Sequence, residues 1–244
     1  MKIGIICAGD LDQELDQGLS LGLGLLLHNW DKHDIIFGSY DTDKAFDALK
    51  KIIDTKDIVV ILRMKNWFGN GSFICPKISK LDIRSCEMAC KAADLIIFAL
   101  PFQHVASMLA EIDSKYLAEK IVISALSPMI EKDGIYYYNP PDEGSAALAI
   151  KKMLPESAKL VTAFNNIAAS KWIALNEVLD YTVAVCGDDA EAKKTVIKLV
   201  RETSQLYGLD AGPLAVSGIV ESITPLAINI AQINGLKDLG VYIK

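Results

Sequence analysis

Residues 94–100 read Asp-Leu-Ile-Ile-Phe-Ala-Leu and are followed directly by Pro101. An unbroken apolar run of this length predicts a β-strand buried on both faces, and the proline predicts its end. Similar short apolar runs recur along the chain, at residues 2–7, 34–38, 58–62, 120–126, 159–164 and 181–187. Helical patterns lie between them: Leu11, Leu15, Leu19 and Leu23 recur every four residues, and residues 43–53 carry their apolar side chains on one side. This alternation predicts an α/β protein with a doubly wound, parallel, Rossmann-type sheet.

The remaining pattern predicts how the chain is organised around that sheet. We expect further helices at residues 82–92, 103–112 and 145–154, a turn-rich stretch at 134–144, and a long apolar final helix marked by Ile219, Ile223, Leu226, Ile230 and Ile233. We predict a dinucleotide-binding-type Rossmann domain over residues 1–155. Residues 156–244 then form a smaller C-terminal α/β portion packed on it.

Composition and charge exclude several classes of protein. The chain has 25 basic and 31 acidic side chains and a formal charge of −6. Nucleic-acid binding needs a basic surface, so we expect no such partner. The longest apolar runs have strand length rather than the roughly 20 residues of a membrane span, so we expect no membrane segment. The first residues lack the pattern of a signal peptide, and we expect a cytoplasmic protein.

The five cysteines are Cys7, Cys75, Cys86, Cys90 and Cys186. Their odd number and scattered spacing predict free thiols in a reducing compartment. Cys86 and Cys90 share a helix face, but no Cys-x-x-Cys pattern accompanies them, so we do not expect a metal site.

The candidate site follows from the predicted sheet, because ligands of open α/β sheets bind beyond the carboxyl ends of the strands. Those ends fall at residues 7–9, 38–40, 100–104, 125–128 and 165–167. We expect them to line one cleft.

The turn after the first strand lacks the Gly-x-Gly-x-x-Gly pattern of dinucleotide-binding proteins. Only Gly9 and Gly18 fall within it, and their spacing is wrong; Gly22 and Gly24 are better explained by close helix packing. The four carboxylates of the turn are Asp10, Asp12, Glu14 and Asp16. They either form a solvated first turn, which suits a helix N-terminus, or repel a pyrophosphate.

Several longer motifs carry a family resemblance. They are Val185-Cys186-Gly187-Asp188-Asp189, Leu209-Asp210-Ala211-Gly212-Pro213-Leu214, Glu221-Ser222-Ile223-Thr224-Pro225-Leu226, Leu100-Pro101-Phe102-Gln103-His104 and Ala163-Phe164-Asn165-Asn166-Ile167. With these motifs the chain resembles the coenzyme F420-dependent NADP reductases (NADPH:8-hydroxy-5-deazaflavin oxidoreductases) over nearly its whole length. The resemblance is weakest over residues 8–33 and 55–81.

The resemblance implies hydride transfer between the nicotinamide of NADP(H) and the deazaflavin of coenzyme F420, in a homodimer. The protein then mainly aligns two carriers that bring their own chemistry, and no acid–base residue is expected. The cofactor-binding residues it implies are Gly9, Ser39, Tyr40, Lys44, Leu100, Pro101, Phe102, His104, Ser127, Pro128, Asn165, Asn166, Ile167 and Leu239. Ser39 and Lys44 match positions that hold the NADP 2′-phosphate. Residues 100–102 match the loop along the nicotinamide, and residues 165–167 and Leu239 match the surroundings of the deazaflavin.

The chain departs from the family pattern at Tyr40, where the family has an arginine that neither tyrosine nor lysine replaces. Asp41 follows and either hydrogen-bonds a ribose hydroxyl, as in NAD enzymes, or caps a helix. Two other functions therefore stay open. One is a family member that has lost dinucleotide binding and serves as a partner protein or binds another nucleotide-like ligand such as S-adenosylmethionine. The other is an NAD-linked dehydrogenase with a different substrate.

Purely structural interpretations also stay open for the other candidates. Pro101 is explained equally by a strand stop, and His104 by a structural histidine at a helix start. Asn165 and Asn166 are explained by an Asn-capped helix over residues 168–172. Leu239 fits a core or interface position.

Overall fold

The computed structural model describes residues 1–7, 16–29, 32–55, 81–174, 179–203, 206–237 and 239–243. Gly9, the carboxylates at 10, 12 and 14, the predicted strand at 58–62 and Cys75 lie outside these residues. The strands are β1 (Lys2–Cys7), β2 (Asp34–Gly38), β3 (Asp82–Arg84), β4 (Leu95–Ala99), β5 (Ile121–Ser124), β6 (Met129–Lys132), β7 (Ile135–Tyr138), β8 (Lys159–Thr162), β9 (Thr182–Gly187) and β10 (Tyr207–Gly212). The α-helices are α1 (Gln17–His28), α2 (Thr42–Thr55), α3 (Cys86–Ala92), α4 (Val105–Ala110), α5 (Ala146–Met153), α6 (Ala169–Trp172), α7 (Ala190–Glu202) and α8 (Ser217–Ile233).

The main sheet has eight strands in the order β10-β9-β8-β5-β4-β1-β2-β3. The six strands from β8 to β3 run parallel, with Ile5 of β1 opposite Phe37 of β2 and Ile97 of β4. Strand β9 is antiparallel to β8, and β10 is parallel to β9. The predicted Rossmann-type α/β fold is confirmed, with the correction that the sheet is mixed at its C-terminal edge.

Each face of the sheet is covered by its own helices, which explains the continuous apolar strands. On β4, Ile97 packs on the face covered by α1, α2, α6 and α7, while Ile96 and Phe98 pack on the face covered by α3, α4 and α5. All three side chains are fully buried. The two faces therefore form two apolar cores with the sheet between them.

Helix α1 packs unusually close to its neighbours, as predicted from its glycines. A Cβ on Gly22 would lie 2.4 Å from the Phe37 ring, and one on Gly24 would lie 2.7 Å from the Trp172 backbone oxygen. A larger residue at Gly22 would push α1 away from the sheet, and one at Gly24 would push it away from α6.

Three sequence predictions are wrong in detail. Residues 82–84 form an edge strand rather than the start of a helix, and α3 begins only after Ser85, whose hydroxyl accepts from the Met88 amide. Within the stretch predicted to be turn-rich, β7 pairs with β6 as a hairpin. Strand β10 was not predicted at all. Strands β3 and β7 have only three and four residues, and β10 is an edge strand with one buried residue, so local pattern carries little signal for them.

The predicted long apolar final helix is present as α8, and a short 3-10 turn over Leu214–Val216 precedes it. Residues 214–233 are long and apolar enough, by length and composition, to cross a membrane, although only 28% of that window is buried within the fold. The expectation that no segment reaches this length is therefore wrong. Two polar residues of this helix, Ser217 and Glu221, are fully buried against the rest of the chain.

The described cysteines are free thiols, as predicted. Burial raises the pKa of Cys86 and of Cys90 to about 12, and that of Cys186 to about 11. These thiols stay protonated at neutral pH and are poor nucleophiles.

Candidate functional site

The carboxyl ends of β2, β4, β5 and β8 lie along one edge of the sheet. In the sheet, β1 lies between β2 and β4. On the other side of β4, β5 is its neighbour and β8 is the next strand. The prediction that the strand ends at Gly38, Leu100 and Leu126 converge is confirmed for the described residues, whereas Gly9 lies outside them.

At the end of β2, Ser39 and Asp41 build the start of α2. Ser39 is buried, and its hydroxyl donates to the Asp41 backbone oxygen over 3.1 Å. The Asp41 carboxylate accepts from the Lys44 amide over 3.0 Å, so the interpretation of Asp41 as a helix cap is confirmed. The Lys44 ammonium is largely exposed, 4.0 Å from the same carboxylate.

Tyr40, at the end of β2, is 43% exposed. Partial burial raises the pKa of its phenol, and the nearby Ser107 hydroxyl of α4 opposes that shift.

The end of β4 turns sharply at Pro101. Leu100 is buried, Pro101 is exposed, and a short 3-10 turn covers Phe102–His104 before α4. The His104 side chain is exposed, and its backbone oxygen accepts from the Ser107 hydroxyl over 2.9 Å. The strand stop predicted from Pro101 is confirmed, and His104 is free to face a ligand.

The loop after β8 is held in an unusual backbone conformation. Phe164 has φ of 68°, in the left-handed region that non-glycine residues rarely occupy. Its buried ring packs edge-on against Trp172, with ring centroids 5.7 Å apart. Such strain persists only where the surroundings enforce it, and it occurs often at functional sites.

The two asparagines that follow are locked by side-chain hydrogen bonds. The Asn165 amide nitrogen donates to the Leu126 backbone oxygen over 2.5 Å, and that of Asn166 donates to the Thr182 backbone oxygen over 2.8 Å. Neither caps a helix, because α6 begins after Ala168 without a side-chain cap. The Asn-capped alternative is wrong.

Thr224 of α8 ties this loop to the end of β5. Its hydroxyl donates to the Asn165 backbone oxygen over 2.8 Å and lies 2.8 Å from the Ser127 hydroxyl. Because Thr224 has one hydroxyl hydrogen, Ser127 must donate to it. Pro128 is buried beside Ser127.

Two more contacts border the same loop. The Gln17 side chain, in the first turn of α1, donates to the Ile167 backbone oxygen over 2.9 Å. The Thr182 amide, next to Asn166, donates to the Val241 backbone oxygen over 2.7 Å. Leu239 is half-buried two residues before this contact.

Glu221 of α8 is a buried acid to which the sequence analysis gave no role of its own. Its fully buried carboxylate accepts from the Ala146 and Ala147 amides over 2.9 and 3.0 Å and from the Tyr138 hydroxyl over 2.8 Å. Burial raises the pKa of Glu221, and these three bonds oppose the shift. The sequence could have indicated it, because Glu221 is the only charged residue in the predicted final helix.

The described residues contain no group of three or more His, Cys, Asp or Glu side chains that could hold a metal ion. A cavity of about 290 Å³ lies near the amino ends of β1 and β2, and its charged lining residues are Lys2, Asp34, Asp82 and Arg84. It lies at the other end of those strands from the candidate site.

A Rossmann-type sheet whose strand ends share one crevice defines an α/β protein of the nucleotide-cofactor-binding class. A family model described as "NADP oxidoreductase coenzyme F420-dependent" matches residues 2–128. The chain is 34% identical over 220 residues to the F420-dependent NADP reductase of Methanocaldococcus jannaschii, covering 88% of this chain and 87% of that protein. It is 25% identical over 231 residues to the enzyme of the same name from Methanothermobacter thermautotrophicus, covering 93% and 90%. The chain belongs to the family of coenzyme F420-dependent NADP oxidoreductases.

Solved structures share the fold. A candidate F420-dependent NADP reductase from Arthrobacter sp. FB24 superimposes with a TM-score of 0.72 at 19% identity, covering 100% of this chain and 99% of that one. A reductive aminase from Aspergillus terreus, solved in complex with NADPH4, cyclohexanone and allyl amine, gives a TM-score of 0.58 at 13% identity, covering 96% and 62%.

Proposed function

We propose that this protein transfers a hydride between NADP(H) and coenzyme F420. The observation that carries this function is family membership along 88% of the chain, to a relative that carries it in its name. When bound, the two cofactors supply the redox chemistry. The protein binds both, aligns them and keeps water out, which is the contribution that orientation makes to such a reaction.

NADP(H) is assigned to the ends of β2 and β4. Ser39, Tyr40 and Lys44 are assigned to the adenosine and 2′-phosphate end, and Gly9, which is outside the described residues, is assigned to the pyrophosphate. Leu100, Pro101, Phe102 and His104 then border the nicotinamide, and Ser127 and Pro128 close the far side of it. The sheet order supports this assignment, because only β1 lies between β2 and β4 and their carboxyl ends are therefore close together.

Coenzyme F420 is assigned to the loop after β8, with Asn165, Asn166, Ile167 and Leu239 around the deazaflavin. The buried Asn165 side-chain oxygen has no hydrogen-bond partner among the described residues. Its orientation is fixed, because the amide nitrogen must face the Leu126 oxygen. An unsatisfied acceptor fits the imide N–H of a deazaflavin ring, since buried polar atoms are otherwise nearly always paired.

Neither alternative function is favoured. The Asp41 carboxylate, the main argument for an NAD-linked enzyme, already accepts from the start of α2. A binding protein that has left dinucleotide chemistry has no support from the relatives, which carry the reductase name.

Isotope transfer tests the function directly. The purified protein is mixed anaerobically with oxidised F420 and NADPH deuterated at nicotinamide C4, and the products are analysed by mass spectrometry. We expect deuterium at deazaflavin C5 and none when protein is omitted. Deuterium transfer from NADH alone would instead support the NAD-linked alternative, and no transfer from either would refute the reductase function.

We also propose that the protein is a homodimer joined through α8. Four aliphatic side chains, Ile219, Leu226, Ile230 and Ile233, are 71%, 59%, 43% and 70% exposed and recur at heptad-like spacing on one face. An exposed apolar stripe of this kind is typical of a subunit interface. Leu226→Glu should yield monomers in sedimentation experiments, whereas Met153→Glu, at an exposed methionine of α5, should not.

We also propose that the chain divides into two parts near residue 155. We propose further that the protein is cytoplasmic and that it is an archaeal-type enzyme. The relatives from Methanocaldococcus and Methanothermobacter support an archaeal-type enzyme. Limited proteolysis tests the division, since cleavage should concentrate near residue 155.

A further inference from the structure

The start of helix α1 lies against the ends of two central strands. A Cβ on Gly18 would lie 2.4 Å from the Ala99 backbone oxygen and 2.5 Å from the Cys7 Cβ. Cys7 is the last residue of β1, and Ala99 is the last residue of β4, which leads into the loop assigned to the nicotinamide. This end of α1 is therefore packed closely against the part of the sheet that is assigned to NADP(H).

Gln17, in the same turn of α1, contacts the other half of the candidate site. Its side-chain nitrogen Nε2 donates to the Ile167 backbone oxygen over 2.9 Å, an ordinary length for a well-formed hydrogen bond. Ile167 is buried and Gln17 is half-buried. Ile167 belongs to the loop after β8, which is assigned to coenzyme F420, and β5 lies between β8 and β4. One side chain therefore joins the start of α1 to the deazaflavin loop.

A second contact holds α1 beside the same loop. A Cβ on Gly24 would lie 2.7 Å from the Trp172 backbone oxygen, so α1 and α6 approach each other closely. The Trp172 ring packs edge-on against Phe164, at the beginning of the loop. A movement of the loop relative to α1 would disturb either this packing or the bond from Gln17.

The other side-chain hydrogen bonds of the loop run to different elements. Those of Asn165 and Asn166 reach the segment after β5, the start of β9 and helix α8. They fix the loop at its far side. The bond from Gln17 is thus the polar contact, among those described above, that fixes the loop against α1.

A hydride moves directly between two carbon atoms, so its rate depends on the distance and angle at which the two carriers are held. We propose that Gln17 is a positioning residue for this transfer. Its bond to Ile167 sets the distance between the cofactor bound beside β4 and the cofactor bound at the loop after β8. The inference rests on the proposed function, because it needs both carriers in one site.

Three variants separate positioning from binding. Gln17→Met keeps the length of the side chain and removes the donor. Gln17→Lys places a donor at the end of a side chain of similar length. Gln232→Met is the matched control, because Gln232 is an exposed glutamine near the end of α8.

The first readout needs no turnover. Oxidised F420 and NADP⁺ do not react with each other, so the nuclear Overhauser effect between nicotinamide C4–H and deazaflavin C5–H reports their separation in the ternary complex. We expect this effect in the wild type and a several-fold weaker one in Gln17→Met. The dissociation constant of each cofactor, measured separately, should change less than about twofold. Gln17→Lys should recover the effect, and Gln232→Met should keep it.

The second readout is hydride transfer from NADPH to F420 at saturating concentrations of both. We expect kcat of Gln17→Met to fall about tenfold with little change in either KM, because a small misplacement of the reacting atoms is costly. An unchanged Overhauser effect and kcat in Gln17→Met, or a loss confined to the affinity for one cofactor, would overturn the inference. If the wild type transfers hydride in that case, the proposed function stands and only the role of Gln17 falls. A wild type that neither transfers hydride nor shows the effect would refute both.

Discussion

Thr224 on the last helix and Asn165 after strand β8 are joined by a hydrogen bond of 2.8 Å, from the threonine hydroxyl to the asparagine backbone oxygen. The same hydroxyl accepts from Ser127 after β5. One side chain of α8 therefore fixes two of the loops that border the candidate site, although 59 residues separate Thr224 from Asn165.

Thr224→Val tests this link, since valine keeps the shape and removes the hydroxyl. We expect a loss of about 1–3 kcal/mol in the free energy of unfolding, because two partly buried polar groups lose their partner. We also expect a higher KM for F420 with a smaller change in kcat. Urea unfolding and steady-state kinetics measure the two effects. Thr224→Ser keeps the hydroxyl and should restore both values; a valine variant identical to wild type would contradict the link.

Glu221 predicts a pH dependence of stability. Burial raises its pKa above the ordinary 4.5, so the native state keeps a proton that the unfolded state releases. The contribution is fully present below pH 4.5 and is lost as the pH rises through the native pKa. Denaturant midpoints across this window should fall with rising pH in wild type and fall less in Glu221→Gln. Glu191→Gln, at an exposed carboxylate of α7, is the control and should keep the wild-type slope.

The buried His33 predicts that folding stability rises with pH, which is opposite to the effect of Glu221. Burial lowers the pKa of His33 below 6.5, the hydrogen bond to Glu202 opposes the shift, and the N-terminus and Lys32 lower the pKa further. The 3.0 Å contact with Glu202 favours the charged form, but burial outweighs it. The unfolded state then binds the proton more readily, so stability should rise with pH up to about 6.5. His33→Gln should flatten this part of the curve; an unchanged curve would show that another group titrates there.

Tyr40→Arg should strengthen NADPH binding by about 1–2 kcal/mol, the scale of one charge-assisted hydrogen bond. Tyr40 is 43% exposed, so the longer side chain fits without repacking. Titration calorimetry measures the gain, and Tyr40→Phe controls for loss of the phenol hydroxyl. An unchanged NADPH affinity in Tyr40→Arg would show that the 2′-phosphate does not bind at the end of β2.

The turn after β1 predicts weak dinucleotide binding in the unmodified protein. Asp10 and Asp12 bring charge to a turn where a pyrophosphate needs bare backbone amides, and both lie outside the described residues. We expect a dissociation constant for NADPH of about 100 μM or weaker, equivalent to roughly −5.5 kcal/mol. The double variant Asp10→Gly/Asp12→Asn should bind more tightly. Low-micromolar affinity in the wild type would show that these carboxylates point away from the cofactor.

The sequence predicted the central strands because each is buried on both faces and reads as a continuous apolar run. Lys2–Cys7, Asp34–Gly38 and Leu95–Ala99 were found in this way, with the crevice that their ends share. The strands it missed behave differently. Asp82–Arg84 has three half-buried residues at a sheet edge, and Tyr207–Gly212 alternates irregularly, so neither carries the apolar pattern of a core strand.

The order of residues by itself determined the alternating architecture, the family and the set of strand ends at which a cofactor would bind, because these depend on local periodicity and on short motifs. Only the tertiary structure decided which residues support that site. Thr224 reaches Asn165 through the packing of the last helix, and the Gln17 side chain reaches the Ile167 backbone oxygen from 150 residues away. Hydrogen bonds of this kind join groups through space, and the distance along the chain between their partners follows no repeat that a sequence pattern could reveal.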